Sequence, residues 1–448
     1  MKKIIFICLS VYLSSSAIAQ KKNAKPAVPQ VSAATVERVA RTLAADDMQG
    51  RASTQAGGQK AAQFLAAEFQ QLGLQPLPGQ GSFEQVFPLY QSTPAALYVT
   101  INGRTIPKGE ALLVSSQPHL NWTSEDDPRP RVVVIEAGAN YDREIRSLLR
   151  PSENTMVLVD PAHAAAFKRT AAYLAKGGPW RAEKVQPFST VLVQMAGPMA
   201  NAKFRVAANA ATKATEIRNV VGVLPGKDPT RAAEQVIFSA HYDHIGILPP
   251  VAGDSIANGA DDDASGTAAV VALAEYFGKR KDNQRTLIFV AFTAEEMGGF
   301  GSRHFATQIN PAQVVAMFNI EMIGKMSKFG PNTAFITGYE KSDFGKILQA
   351  GVQGSPFRFE PDPYPAQNLF LRSDNATLAR YGVPAHSIST DQIPTDKLYH
   401  SVKDEISSLD FPNMTAVVAG VARGAAGIVA GTQTPSRLVL EAAVTPRP

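Results

Sequence analysis

The sequence of 448 residues contains one cysteine, Cys8. Cys8 lies in an N-terminal segment that we predict to be cleaved, so the mature chain would have no cysteine. That absence excludes disulfide bonds, thiolate metal sites and a cysteine nucleophile. Any bound metal must therefore be held by His, Asp and Glu side chains.

The chain also has little excess charge. It contains 44 Lys and Arg residues against 39 Asp and Glu residues, and its formal net charge is +5. No dense basic run with interleaved aromatic residues occurs, which argues against nucleic-acid binding. The apolar fraction of 45% and the charged fraction of 19% are ordinary for a globular protein.

The N-terminal apolar run, residues 4–13, is too short to anchor the chain in a membrane. Lys2 and Lys3 precede it, and an Ala-x-Ala cleavage pattern follows at 17–19. We therefore predict a signal peptide at residues 1–19 and export to the periplasm or the extracellular space, without a membrane anchor. The alternative interpretation of this run is a buried N-terminal helix.

Composition and periodicity divide the remaining chain into five segments. The predicted segments are a flexible linker at 20–34, an N-terminal part of the main domain at 35–87, a β-rich insertion at 88–218 with one helix near 164–174, the main domain proper at 219–432, and a loose C-terminal tail at 433–448.

After residue 219, short apolar runs alternate with helical patterns. Strands are predicted at 235–240, 286–292 and 314–320, and helices at 267–279 and 300–307. The run 286–292 is almost entirely apolar, as expected in a sheet that is covered on both faces. This alternation predicts an α/β domain with a mainly parallel or mixed sheet.

Charged residues concentrate where these strands end: His241, Asp243 and His244, then Asp261 to Asp263, Glu295 and Glu296, and Glu321. In open α/β sheets the ligand crevice lies outside the carboxyl ends of the strands. Because several carboxylates close together repel one another, they need a compensating cation, and a divalent metal supplies one. Alone, each group also fits a structural role, as a strand end, a helix cap or a solvated pair. Their joint order favours a metal site, suited to zinc and tolerant of manganese or cobalt.

Five motifs carry a resemblance to a known family. They resemble the zinc exopeptidase family of aminopeptidase Y, bacterial secreted aminopeptidases, glutamate carboxypeptidase II and glutaminyl cyclases. The motifs are SAHYDHIG at 239–246, GADDDASG at 259–266, FTAEEMG at 292–298, NIEMIG at 319–324 and LYHSVKD at 398–404.

The resemblance implies a three-layer α/β domain with a mixed, mostly parallel central sheet and two bound zinc ions. The insertion resembles a protease-associated domain, which would cover or shape the substrate cleft. By position, the implied metal ligands are His241 and Glu321 on the first metal, Glu296 and His400 on the second, and Asp262 as the carboxylate that bridges the two.

The resemblance also assigns three further roles. Glu295 corresponds to the general base, Asp243 to a carboxylate that orients His241, and Tyr399 to a tyrosine that in some members stabilises the oxyanion. The chain departs from the family at Glu321, where many members have Asp. It also departs at Asn375, where some relatives have His. The second departure leaves the preceding Ser373 and Asp374 open as either a structural loop or a substrate contact.

These residues imply an exported metal-dependent exopeptidase that acts on peptides and most resembles an aminopeptidase. A carboxypeptidase or dipeptidase on the same scaffold stays open, since Arg303, Arg358, Arg372 and Lys397 are available to hold a carboxylate. A glutaminyl cyclase would use one metal, which the full ligand set disfavours. A receptor-like protein without catalysis is the remaining alternative. The sequence does not indicate an oligomeric state.

Overall fold

The computed structural model of the chain describes residues 29–197 and 202–439. The predicted signal peptide and Cys8 lie outside the described residues. Among the helices of the described ranges, none combines the length and the apolar composition needed to cross a bilayer.

The strands fall into a large sheet, a smaller sheet and a two-stranded hairpin. The strands are β1 Glu84–Ile101, β2 Arg104–Thr105, β3 Ala111–Val114, β4 Leu120–Thr123, β5 Arg131–Ile135, β6 Thr155–Val159, β7 Thr190–Gln194, β8 Phe204–Leu224, β9 Gln235–His241, β10 Gly246–Val251, β11 Asp254–Ala257, β12 Thr286–Phe292, β13 Val314–Ile320, β14 Thr333–Ile336, β15 Arg358–Pro361 and β16 Ala385–Ser389.

The helices are α1 Ala33–Leu43, α2 Ala56–Gln71, α3 Tyr141–Leu148, α4 Ala164–Ala175, α5 Gly266–Arg280, α6 Phe300–Ala306, α7 Phe344–Gly351, α8 Asn375–Ala379, α9 Phe411–Gly424 and α10 Ala426–Val429.

The large sheet has the strand order β15-β14-β16-β13-β9-β12-β8-β1-β2, and β4 also pairs with β8. Its central strands β16, β13, β9 and β12 are mutually parallel, whereas β8 and β1 are antiparallel to their neighbours. This arrangement confirms the predicted mixed α/β fold with parallel strands at its centre. The parallel strands all end on one edge of the sheet, and the candidate site lies at that edge.

Helices cover both faces of this sheet. On one face, α1, α2, α5, α7 and α9 bury their apolar sides in the larger core, and on the other face α6 and α8 do so. Helix α1 shows how the sequence specifies such a helix. Ser32 caps it by accepting a hydrogen bond from the Thr35 amide, and Val36, Val39 and Leu43 form its buried stripe.

The insertion is attached by two long strands. β1 and β8 pair antiparallel along most of their length, from Glu84 opposite Val220 to Ile101 opposite Phe204. They pass through the predicted boundaries at 87/88 and 218/219 and carry the main sheet into the insertion. The short strands β2 and β4 of the insertion pair with β1 and β8, and the other four strands form a separate sheet, β3-β7-β6-β5. It carries two helices, α3 and α4, whereas the sequence predicted one near 164–174.

Two predicted segment ends are wrong. The linker was predicted to reach residue 34, but α1 begins at Ala33 because the Ser32 cap starts the helix there. The predicted loose tail is docked over its described part, 433–439. Arg437 donates hydrogen bonds to the carbonyls of Val314 and Tyr381, and Leu438 is buried.

Phe238 lies at the centre of the larger core, stacked on Phe277, Phe289 and Phe318. We expect Phe238→Ala to lower the free energy of unfolding by about 3–5 kcal/mol, because the truncation leaves a cavity in a fully buried position. Urea unfolding measures the change. The control is Tyr381→Ala, at a side chain that is 57% exposed. An equal effect of both variants would contradict this account of the core.

Candidate metal centre

The carboxyl ends of three parallel strands deliver the first site residues. His241 ends β9, Glu295 and Glu296 follow β12, and Glu321 follows β13. Because these strands are neighbours in the sheet, their ends converge on one crevice. Two loops complete the set, one with Asp262 before α5 and one with His400 after β16.

The carboxylate of Asp262 lies between two groups of side chains. Its Oδ1 atom is 3.3 Å from His241 Nε2, which is also 3.2 Å from Glu321 Oε1. Its Oδ2 atom is 3.2 Å from His400 Nε2, which is also 3.0 Å from Glu296 Oε2. The structure therefore brings the five predicted ligands together, with one oxygen of Asp262 directed at each group.

His244 joins the second group, although the sequence assigned it no role. Its Nδ1 atom lies 2.9 Å from Glu296 Oε1 and 3.7 Å from Asp262 Oδ2, and its side chain is buried. Its position in the motif at 239–246 was the sequence feature that could have indicated a place at the site. Its contact with a residue 52 positions later could not be read from local sequence.

This donor set fits divalent metal ions. At this crevice, two triads of described residues bring donor atoms within 4.8 Å of one another: His241 with Asp262 and Glu321, and His244 with Asp262 and Glu296. Asp262 Oδ2 is buried, and among the described residues only the imidazoles of His400 and His244 approach it, neither with the geometry of a regular hydrogen bond. A buried carboxylate oxygen without a donor is costly unless a cation approaches it. Imidazole and carboxylate ligands without thiolate suit zinc and similar ions.

The three consecutive aspartates have different partners. Asp262 faces the metal site, whereas Asp261 Oδ1 accepts a hydrogen bond from the Gly324 amide. Asp263 accepts hydrogen bonds from the amides of His241 and Met322. The two outer aspartates thus fasten the Asp262 loop to the loops that carry His241 and Glu321.

Asp404 holds the same loop from the other side. Its carboxylate accepts hydrogen bonds from the amides of Asp261 and Asp262. Because Asp404 belongs to the motif that contains His400, this contact sets the distance between the loops of His400 and Asp262.

Arg51, from the N-terminal segment, lies fully buried beneath the site. Its guanidinium donates hydrogen bonds to the backbone carbonyls of Tyr242, Leu43 and Gly259. It therefore joins the His241 loop to the Asp262 loop and places a positive charge below the carboxylates. The sequence analysis assigned no role to Arg51.

Ser373 contacts one of the predicted ligands. Its hydroxyl donates a hydrogen bond of 2.5 Å to Glu321 Oε2 and accepts one from Asn319 Nδ2. This serine fixes the free oxygen of Glu321 while Oε1 faces His241. Ser373 therefore orients Glu321, and because it also lines the pocket beside the centre, a substrate contact there stays open.

Asp243 makes a contact different from the expected one. His241 Nδ1 lies 3.0 Å from the backbone carbonyl of Asp243, and the Asp243 carboxylate is farther away, at 3.8 Å. That carboxylate instead accepts hydrogen bonds from the Glu295 amide and the Ser53 hydroxyl. The carbonyl orients His241, and the carboxylate holds the backbone of Glu295.

The remaining two predicted residues border the same crevice. Glu295 and Tyr399 both line the pocket that contains Asp262 and His400. The ring of Tyr399 stacks on the His400 imidazole with a centroid distance of 3.9 Å. Burial raises the pKa of Tyr399, and the nearby carboxylates of Asp262 and Glu296 raise it further.

The pKa values reflect crowded carboxylates. Burial raises the pKa of Glu295 well above its usual range, and the charge of Glu321 adds to this effect. Burial alone would also raise the pKa of Asp262, but the imidazoles of His244, His241 and His400 hold it well below the usual range. Acidic and basic groups in one crevice therefore shift one another strongly.

Three residues at the site adopt a left-handed backbone without being glycine. Ala294 precedes Glu295 and has φ of 57°, Met322 follows Glu321 with φ of 50°, and His400 itself has φ of 54°. Such conformations are costly for residues with a Cβ atom, and they persist where surrounding contacts impose them. Here they turn the chain so that the site side chains face the crevice.

Arginines line a second cleft that borders Glu295 and Glu296. Arg303, Arg372 and Arg380 line a cleft together with these two glutamates. Arg358 and Lys397, which the sequence also offered as carboxylate binders, do not line that cleft. Arg358 instead lies on β15 beside Glu360.

The hydrogen bonds from Arg51 to the loop carbonyls give a testable prediction. We expect Arg51→Lys to lower the free energy of unfolding by about 2 kcal/mol or more, because a lysine keeps the charge but leaves buried carbonyls without donors. Urea unfolding measures this, with Arg104→Lys on the exposed strand β2 as the matched control. If both variants were as stable as the wild type, the multiple hydrogen bonds of Arg51 would not hold the loops.

Sequence and structure comparisons identify relatives of this chain. Residues 219–424 match the family model of Peptidase family M28. Leucine aminopeptidase 1 of Ajellomyces capsulatus is 30% identical over 215 residues, which cover 44% of this chain and 52% of the relative. A probable zinc metalloprotease of Pyrenophora teres f. teres is 38% identical over 112 residues, 24% of this chain and 23% of the relative. The chain spans about half the length of the leucine aminopeptidases that it matches.

Solved structures share the fold. An aminopeptidase from Aneurinibacillus sp. strain AM-1 superposes with a TM-score of 0.51 at 18% identity, covering 94% of this chain and 98% of the other. The zinc aminopeptidase BSAP from Bacillus subtilis superposes with a TM-score of 0.52 at 16% identity, covering 92% and 99%. At these identities the likeness concerns the fold. The family resemblance predicted from the motifs is confirmed: residues 219–424, which contain every predicted site residue, match Peptidase family M28.

Proposed function

We propose that this chain is a zinc-dependent exopeptidase that releases N-terminal amino acids from peptides. The observation that carries the proposal is the carboxylate of Asp262 between two His-carboxylate groups, with Glu295 in the same crevice. The similarity to proteins named leucine aminopeptidase and zinc aminopeptidase supports both the metal and the substrate end.

In this proposal His241, Asp262 and Glu321 would hold one zinc ion, and Asp262, Glu296 and His400 would hold a second. Bound zinc would polarise the scissile carbonyl and lower the pKa of the attacking water.

Side chains of the protein would transfer the proton and stabilise the oxyanion. Glu295 accepts a proton from the attacking water and later passes it to the leaving amine. The Asp243 carboxylate holds Glu295 in place by accepting a hydrogen bond from the Glu295 amide. The hydroxyl of Tyr399 donates a hydrogen bond to the oxyanion that develops on the substrate.

We also propose export, which rests on the pattern of residues 1–19, and a cleft-shaping role for the insertion. Trp180 of the insertion packs near Phe300 and Met297, at the loop that carries Glu295 and Glu296. The insertion therefore borders the cleft on the side of the predicted base.

A carboxypeptidase or dipeptidase is the second candidate function. It is favoured by the cleft that Arg303, Arg372 and Arg380 share with Glu295 and Glu296. Guanidinium groups there would suit the terminal carboxylate of a short peptide. Substrates that differ only at their ends distinguish the two activities.

The substrate end is tested with a matched panel: a free peptide, the same peptide with a blocked N-terminus, and the same peptide with a C-terminal amide. We expect cleavage of the free and amidated peptides, none of the N-blocked peptide, and loss of activity with chelator that added zinc restores. Amino-acid analysis of the products measures each rate. Cleavage of the N-blocked peptide alone would reject an aminopeptidase, and insensitivity to chelator would reject a metal enzyme.

The roles of the two adjacent glutamates are separable. We expect Glu295→Gln to bind zinc as the wild type does and to lose turnover by about a hundredfold or more, the scale of a lost general base. Glu296→Gln should lose part of its zinc, since it removes a ligand. Metal content by mass spectrometry and kcat on one substrate test both. Near-normal turnover of Glu295→Gln would exclude it as the base.

A further inference from the structure

A pocket of about 100 Å³ opens beside the candidate metal centre. Four apolar side chains line it, and these are Met322, Phe335, Leu369 and Ile393. Because Asp262 and His400 line the same pocket, a substrate side chain bound there would belong to the residue whose peptide bond lies at the candidate metal centre. Its apolar walls suit an aliphatic stem.

The same pocket contains a carboxylate with no role in the proposed chemistry. Asp391 lines it and is 2% exposed. Among the described residues no amide, hydroxyl or cationic group donates to its carboxylate, and its hydrogen-bonding neighbour is the carboxyl group of Asp396. Buried polar groups are almost always paired, and an unpaired buried carboxylate is among the costlier exceptions. Within the described ranges, the structure thus gives this carboxylate no cationic partner.

The charges around Asp391 do not balance. Carboxylate oxygens of Asp391, Asp261 and Asp396 lie within 4.8 Å of one another. Lys325 contacts two of the three, at 3.1 Å from Asp261 and 2.6 Å from Asp396. The Lys325 ammonium therefore forms ion pairs with Asp261 and Asp396, and among the described residues no cation contacts Asp391.

The pKa of Asp391 agrees with this imbalance. Burial, the neighbouring charges of Asp261 and Asp396, and a hydrogen bond with the Asp396 side chain raise its pKa to about 8, so without a bound cation Asp391 is mostly protonated at neutral pH. A second cation in the pocket would hold the carboxylate ionised and pair with it.

We propose that this pocket binds the side chain of the substrate's N-terminal residue, and that Asp391 selects side chains that end in a cation, those of lysine and arginine. The assignment rests on the proposed aminopeptidase function. The methylene stem packs against the apolar wall, and the terminal ammonium or guanidinium donates hydrogen bonds to Asp391.

Arg372 lines the same pocket but does not neutralise Asp391. Its side chain is exposed, and its charge acts on Tyr399. The charged groups that act most on Asp391 are Asp261, Asp396 and Lys325. The pocket therefore has an acidic end at Asp391.

The test compares lysine with norleucine, which has the same stem without the ammonium. With aminoacyl p-nitroanilides, we expect the wild type to have a kcat/KM at least tenfold higher for lysine than for norleucine. In Asp391→Asn this ratio should fall at least tenfold. Glu340→Gln, at a carboxylate that is 75% exposed, is the control and should keep the wild-type ratio.

Binding without turnover gives a second readout. Zinc-loaded Glu295→Gln, titrated calorimetrically, should bind free lysine at least tenfold more tightly than norleucine, and adding Asp391→Asn should remove the difference. Because the wild-type ratio needs no substitution at Asp391, the proposal is testable even if that variant does not fold.

The outcomes separate the two proposals. If no aminoacyl substrate is cleaved but lysine still binds more tightly than norleucine, the exopeptidase function fails, and only the recognition of a cationic side chain by Asp391 is retained. Cleavage without a preference for lysine or arginine overturns the pocket assignment and leaves the function intact. An equal loss for lysine and norleucine in Asp391→Asn would assign Asp391 a structural role and also overturn the proposal.

Discussion

The concentration of buried negative charge at one edge of the sheet is the constraint on which the structure depends. Asp243, Asp261, Asp262, Asp263 and Asp404 are all buried within a few loops of one another. Ionised carboxylates are expensive to remove from water unless donors or cations surround them. The fold meets this requirement with backbone amides for most of these aspartates, and it leaves Asp262 directed at the imidazoles. The surplus charge at Asp262 is what a pair of divalent ions would neutralise.

Stability and site geometry are therefore properties of one network. The amides that stabilise Asp261 and Asp263 belong to the loops that carry Glu321 and His241. Arg51 ties the same region to the N-terminal segment through carbonyls rather than through carboxylates. A change that loosens one of these contacts moves a metal ligand as well as destabilising the fold, so stability and metal binding should vary together in variants of this network.

The parts of the fold visible in the sequence are those with a local pattern. The strands predicted at 286–292 and 314–320 have the observed bounds because each is a continuous apolar run ended by a polar loop. The charged clusters followed from their place at strand ends, whereas their roles, and the choice of His400 and Tyr399, came from the family resemblance. Arg51 and His244 could not be assigned because their partners lie far along the chain. The docking of 433–439 likewise depends on tertiary contacts, for which the polar composition of the tail gives no sign.

The charges around the centre are distributed unevenly, and this gives the cleft a direction. Asp391 lines the pocket beside His400, whereas Arg303 and Arg380 line the cleft that borders Glu295 and Glu296, and Arg372 lines both. A peptide carries its ammonium at one end and its carboxylate at the other. In the proposed aminopeptidase, this distribution would favour binding with the N-terminal residue at the pocket and the rest of the chain toward the arginines. Glu295 lines both the pocket and the cleft, so in that orientation the proposed base would lie beside the bond to be cleaved.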